Sequence, residues 1–430
     1  MLAQFVPGIL LGAQTPGTSM PSPFLSLRRD AQNPRRGRIA ERILNLGGEA
    51  ETRRYTYDSA GRLARVTDGA NCLLESYQYD RDGRRLADIN PQRFRGERRF
   101  TYSLGDRLGQ AGRVQYGHDK AGFRNLKIEG GRKTLYHYEP SGLLLAVDLP
   151  DDRRIDYAYD AKGQRTEKRV NGRVVEAYQW LDPLRLEEFF DGQRWWRLAY
   201  LEDRTAVGVT DGEVSYLFAT DQLGTPVALA DLDGNIVQTM RYDAFGNLLA
   251  TRGSALRLPI GFAGGLFDAD TGLTRAHSIT GWRDYDADTG RFTALDPVGA
   301  KGGDKDWYGY CVDAPVNRVD AWGLEDSWWD GSGGKIVKSG LIGAGTGAYS
   351  GFQWGTPLGV PWAGAAAGAV IGSGTGMLKQ TILEYPLVGE RLEDLKEQAQ
   401  QKATEIWNEI PESARNALES MRSLEDYSTE

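Results

Sequence analysis

Cysteine is nearly missing from this 430-residue sequence. Cys72 and Cys311 stand alone, which excludes a disulfide scaffold and a four-thiolate zinc site. Histidine is as scarce: His118, His137 and His277 lie far apart, too dispersed for a His-rich metal centre. No metal or cofactor is therefore expected. Positive charge is not in excess either, with 52 Lys and Arg against 59 Asp and Glu, so there is no electrostatic case for a nucleic-acid partner. The first twenty residues lack a basic start, and Pro7 and Gly8 interrupt their apolar run. A cleaved signal peptide is a poor match to that pattern; secretion would need a specialised route.

Apolar residues at 40% are enough to build a core, while 54 glycines are nearly twice the usual share and demand many turns or close backbone contacts. The length exceeds what one compact domain usually holds. Charge marks a boundary. From Glu325 to Glu430 there are 15 acidic and 8 basic residues, net −7, which leaves 44 of each sign in the first 324. The reading is an irregular arm over 1–40, a repeat region over 41–324, and a distinct region over 325–430.

The repeat region is patterned by aromatic-x-aromatic units: Tyr55/Tyr57, Tyr77/Tyr79, Phe100/Tyr102, Tyr136/Tyr138, Tyr157/Tyr159 and Tyr178/Trp180, with a degenerate unit near Tyr116. Steps of about twenty residues of this kind indicate a repeat architecture. Aromatics two apart share one face of a strand. Asp58 and Gly61, Asp80 and Gly83, and Asp160 and Gly163 then make a tight turn, Gly supplying positive φ and Asp a side-chain bond to the backbone. A return strand such as Leu63–Val66 follows. Each unit is a β-hairpin, and hairpins in a row make one long curved sheet.

Tyr-x-Tyr-Asp-x-x-Gly-Arg resembles the YD-repeat, or Rhs, family. The resemblance runs over roughly residues 50–324. It continues through Thr220–Pro226, Tyr242–Asn247, Phe262–Asp268, and Arg283–Asp286 with Gly290-Arg291-Phe292. It ends at Asp296–Gly299, Gly302-Gly303, Tyr308-Gly309-Tyr310 and Asp320–Leu324. The family implies a mainly β fold in which hairpins wind into a hollow shell, enclosing a variable C-terminal toxin in bacterial members. About 280 residues are fewer than a complete shell uses, so a partial shell, or one completed by another polypeptide, is implied here.

The resemblance also implies self-cleavage. By motif match the catalytic aspartates are Asp296 and Asp320, and the junction is Leu324–Glu325. Such chemistry needs one ionised carboxylate to activate water and one protonated carboxyl to donate to the carbonyl oxygen. Two departures stand against it: Asp320-Ala321-Trp322-Gly323 where the family usually has Asp-Pro-x-Gly, and Leu295 where many members place Arg.

Between Lys338 and Lys379 no side chain is charged. Glycines recur every fourth residue, at Gly343, Gly347, Gly351, Gly355 and Gly359, then at Gly364, Gly368, Gly372 and Gly376. On a helix this spacing bares one face for close approach of a neighbour. It predicts a helical hairpin over 340–378, each arm at the lower length limit for crossing a bilayer; a soluble packing role is the alternative. Amphipathic helices are expected over 387–424, with Leu392, Leu395, Ala399, Ile406 and Ile410 in one stripe. After Leu324 there is no Cys or His, so His- or Cys-based enzymes and zinc hydrolases are poorly supported.

The expected protein is thus a polymorphic toxin of interbacterial competition, a β shell releasing a membrane-active, α-helical effector. Its implied partners are a cognate immunity protein, a secretion-system component and a target membrane. An enzymatic effector of unrecognised chemistry and a non-cleaving structural fragment are the alternatives.

Overall fold

A computed structural model describes residues 2–4, 24–30, 37–46, 49–182, 184–200, 205–253, 255–275, 283–296 and 304–319. The chain divides into two compact units, Met1–Ser327 and Trp328–Glu430, and all described residues belong to the first. Asp320, the Leu324–Glu325 junction, the glycine repeats and the C-terminal helices lie outside the described residues.

The Tyr-bearing units form hairpins, and the hairpins form one 23-stranded sheet. Strands pair antiparallel with their neighbours in sequence, as Glu49–Tyr57 does with Leu63–Asp68 and Leu73–Tyr79 with Arg85–Ile89. The meander ends at Leu248–Arg252, and no pairing among the described residues joins that edge back to the first strands. The sheet is open. It also begins earlier than residue 41: Leu25–Arg29, with apolar Leu25 and Leu27 in alternation, pairs with Ile39–Leu46.

Turn chemistry explains the repeat. Asp58 accepts from the backbone N–H of Arg62 at 2.9 Å, its other oxygen binds Arg62 Nε at 2.7 Å, and the Gly61 N–H donates to the Asp58 carbonyl at 2.9 Å. Asp80 repeats this with Arg84, at 3.0 and 2.7 Å. Gly61 and Gly83 sit at φ +89° and +96°, where a side chain is strained. The pairing slips by one residue beside the second aromatic, between Thr56 and Tyr57 and between Gln78 and Tyr79, which makes a β-bulge on the return strand, at Ala64 and Leu86.

The two aromatics of a unit have different tasks. The first is core: Tyr55, Tyr77, Phe100, Tyr136, Tyr157 and Tyr178 are all buried. The second ties its hairpin to the preceding one. Tyr79 donates to the Leu63 carbonyl at 2.9 Å, Tyr102 to Arg85 at 2.8 Å, Tyr159 to Leu144 at 2.7 Å and Tyr200 to Leu186 at 2.8 Å. Trp180 does the same through Nε1 to Arg165 at 2.8 Å. Each acceptor opens the return strand one hairpin back. A buried bond of this type contributes about 1 kcal/mol, so the ties add along the row and fix its pitch.

Beyond the meander, the described residues of 255–319 return across the sheet. They carry four short strands, Leu266–Asp268, Leu273–Arg275, Asp284–Asp286 and Arg291–Phe292, paired in sequence order. Tyr285, Phe292, Tyr310, Phe262 and Cys311 form their own buried cluster, which accounts for Cys311 as a packing residue.

Candidate processing site

The returning segment is held by charge. Asp284 and Asp286 flank Tyr285 on one strand and share a face, and Asp288 lies in the turn that follows. Asp286 pairs with Arg124 and Asp284 with Arg165 at 3.5 Å. Asp288 binds Arg98 at 2.7 Å and also Arg93. Farther along, Lys168 reaches Asp268 at 2.8 Å and Asp270 at 2.6 Å. Burial works against ionised Asp268, but Lys168 and then Arg165 hold its carboxyl below the usual range. Asp270 is held at about 2, against its own burial, chiefly by bonds from Lys168 and Arg153.

Arg124 and Arg165 stand on Arg124–Glu129 and Arg165–Val170, four strand spacings apart, which is about 19 Å on a flat sheet. Asp284 and Asp286 are about 7 Å apart along their strand. Both arginines lean inward to reach them, so the returning strand lies across the face that carries these arginines.

The segment is also stitched into the hairpin row. Arg124 donates its backbone N–H to the Thr293 carbonyl at 2.9 Å, and Tyr138 donates to Thr293 Oγ1 at 3.0 Å. Tyr138 is the second aromatic of its unit, so Thr293 takes the tie that other repeats give to the preceding hairpin. Tyr308 binds the Gly122 carbonyl at 2.7 Å. His118 packs edge-on against Tyr308, and burial followed by Arg124 pushes its imidazole down to about 3. It is a neutral packing residue. His137 bonds Asp148 at 2.6 Å on the exposed face of its strand, while His277 lies outside the described residues.

Asp296 stands three residues beyond Thr293. Its N–H donates to the Trp307 carbonyl at 2.8 Å, and its carboxylate meets Arg283 at 2.9 Å. Arg283 is 2% exposed and lies over the Phe292 ring at 3.8 Å. Of the two aspartates taken from the motif, the described residues thus place Asp296 in a nearly closed setting; they do not reach its counterpart.

The structure brings together a second set of carboxyls that the sequence reading did not single out. Asp304 Oδ1 and Asp313 Oδ2 lie 3.5 and 3.7 Å from the point where a Cβ on Gly83 would sit. Asp306 pairs with Arg291. Burial, then Asp306, pushes Asp304 up to about 6; burial, then Asp304, pushes Asp313 well above the usual range. Cys311, Val312 and Asp313 carry φ of +53°, +47° and +53°, and a β-branched residue is rare in that region. Among the described residues no group of three or more His, Cys, Asp or Glu side chains is placed to hold a metal ion.

Residues 26–300 match the family model described as the teneurin YD-shell, well over half of the chain. This chain belongs to the YD-shell family. Relatives of the YD-shell protein include teneurin-3 of Danio rerio, 30% identical over 270 residues, which are 60% of this chain and 10% of that protein. The probable deoxyribonuclease RhsB of Dickeya dadantii is 28% identical over 310 residues, 64% of this chain and 21% of RhsB. The chain thus spans about a tenth of one and a fifth of the other. Among solved structures, a TcdB2-TccC3-TEV crystal structure aligns over 70% of this chain and 18% of its own at TM-score 0.44 and 16% identity.

Proposed function

We propose that this YD-shell protein carries, and by its own cleavage releases, a C-terminal effector. The supporting observation is Asp296, which ends a stretch ion-paired to the sheet and is itself held by buried Arg283. In this reading Asp296 and Asp320 form the cleaving pair and Leu324–Glu325 is the bond cut. The uncharged stretch between Lys338 and Lys379 makes the effector membrane-active, and delivery into competitor cells would involve a secretion system and an immunity partner. Among the described residues no helix is long and apolar enough to cross a membrane, and the glycine repeats lie beyond them.

Intact-mass measurement of the full chain tests the cleavage. Wild type is expected as two pieces divided after Leu324, with Asp296→Asn and Asp320→Asn remaining at 47.5 kDa. Equal cutting of all three would assign the event to an outside protease. Teneurin relatives of comparable identity favour the second reading, a shell piece with no processing, which predicts an intact wild type.

A further inference from the structure

We propose that Thr293 is a clasp on a latent opening of the sheet. The joint between Arg124–Glu129 and Arg132–Tyr138 stays shut while the returning segment holds Thr293 in it, and parts when that segment withdraws. Consecutive hairpins are joined by a ladder that stops two residues short of the turn side. It begins with Arg65 opposite Ser76, with Ala146 opposite Asp156 and, in this joint, with Leu126 opposite Leu135. At other joints two kinds of side-chain bond span the open end. The second aromatic reaches back, as Tyr79 does to the Leu63 carbonyl at 2.9 Å and Tyr159 to the Leu144 carbonyl at 2.7 Å. The residue that closes the turn reaches forward, as Arg62 does to the Asp80 carbonyl at 2.6 Å, and Arg107 and Gln164 to those of Lys120 and Asp182 at 3.0 Å.

In this joint neither bond is present among the described residues. The turn-closing residue is Phe123, whose apolar ring stacks on Tyr138 at 5.2 Å between centres. Tyr138 gives its hydroxyl to Thr293 Oγ1 at 3.0 Å, and on the other side the Arg124 N–H donates to the Thr293 carbonyl at 2.9 Å. One residue of the returning segment therefore bonds both lips of the joint. Thr293 is 1% exposed and is held from behind, its own N–H donating to the Asp284 carbonyl at 2.9 Å. Asp286 of the same segment pairs with Arg124, whose guanidinium lies 5.2 Å from the centre of the Tyr136 ring across the joint. Without residues 284–293 the joint keeps its ladder from Leu126 to Glu129 and one ring stack. At the far end the strands are linked by Gly130 and Gly131, both at positive φ and with nothing within 4 Å of an added Cβ, so no neighbour obstructs a pivot there. Single hydrogen bonds contribute little each, and a region held by few of them opens locally well before the whole fold does. Neither bond involves Asp296, so the clasp stands whether or not the chain cuts itself.

Amide hydrogen exchange of the full-length chain at pH 7, read by mass spectrometry, tests the clasp. Thr293→Val keeps the shape and the backbone carbonyl but removes the acceptor for Tyr138; Tyr138→Phe removes the same bond from the other side. Each is expected to speed exchange about 5-fold over residues 126–129 and 132–135. The double variant is expected to be no faster than either single one, because all three lose one and the same bond. The ladder between Leu144–Asp148 and Arg154–Tyr159 is expected to stay unchanged in these variants and to loosen instead in Tyr159→Phe. Equal speeding at both joints would make Thr293 a general stabiliser of the fold. Speeding confined to residues 284–293 would make it an anchor for the returning segment alone, and unchanged exchange at the joint would mean that its ladder needs no clasp. Each of these three results overturns the proposal.

Discussion

Lys168 is the most enclosed cation in the returning segment's attachment, and its removal puts a number on that attachment. Its side chain is fully buried, with Asp268 at 2.8 Å, Asp270 at 2.6 Å and Glu176 at 3.7 Å. Lys168→Met keeps most of the volume and deletes the charge. Removing one partner of a buried pair costs about 3–5 kcal/mol. The low end applies here, because Asp268 keeps the Tyr157 hydroxyl at 2.6 Å and the Asp270 N–H at 2.9 Å, and Asp270 keeps Arg153 at 2.7 Å. A loss of about 3 kcal/mol at pH 7 is expected in urea unfolding followed by tryptophan fluorescence. The pH dependence supplies the sign. In wild type both carboxyls are held low, so their stabilisation is present above the ordinary carboxylate range and fades as pH falls toward their folded values. Without Lys168 the burial of Asp268 is no longer outweighed, and its proton is retained to higher pH. The penalty of the variant should therefore shrink between pH 7 and pH 5. Adding Asp268→Asn should recover about 2 kcal/mol relative to the sum of the single changes. A Lys168→Met protein within about 1 kcal/mol of wild type at pH 7, or single costs that simply add, would refute a charge-held segment.

Two further changes probe the same architecture. Gly246 has φ +92°, and a Cβ there would lie 2.2 Å from the Phe262 ring; Gly246→Ala should cost about 3 kcal/mol. Gly172→Ala, at φ +79° in open space, should cost about 1 kcal/mol, and thermal unfolding of the two variants side by side checks the difference. Asp304, held up to about 6, keeps in the folded state a proton that the unfolded chain has released near pH 4, so its contribution declines as pH rises from 4 to 6. Asp304→Asn retains an acceptor for the Asp306 N–H and should gain on wild type across that interval by on the order of 2 kcal/mol, read from urea midpoints at pH 4 and pH 7. An unchanged difference between the two pH values would place Asp304 in solvent-like surroundings.

The hairpins were legible because their causes are local. Asp58, Gly61 and Arg62 make their turn within five residues, and Tyr55 and Tyr57 share a face by strand geometry alone. The attachment of the returning segment was not legible, because it joins residues such as Arg98 and Asp288 that are 190 apart, and composition does not distinguish a buried Arg or Asp from a solvated one. A signal was nonetheless present. Five positions past the residue that opens each turn, the sequence reads Leu63, Arg85, Leu108, Arg124, Leu144, Arg165, Leu186. All seven are buried. Strand periodicity places all seven on the inner side, where a row of leucines alone would have sufficed for packing. Arginine at every second hairpin demands acids opposite, since a buried cation without a partner is not tolerated. The candidates were Asp284 and Asp286, two apart on one strand face beyond the repeats, with Asp288 in the turn that follows. Arg124 and Arg165 take two of them, while Arg85 is packed between Tyr77 and Phe245, at 4.7 and 4.0 Å from their ring centres, with Asp88 at 3.5 Å. Two of the three inward arginines are thus matched by acids on the returning strand, while the third finds its acid on its own strand.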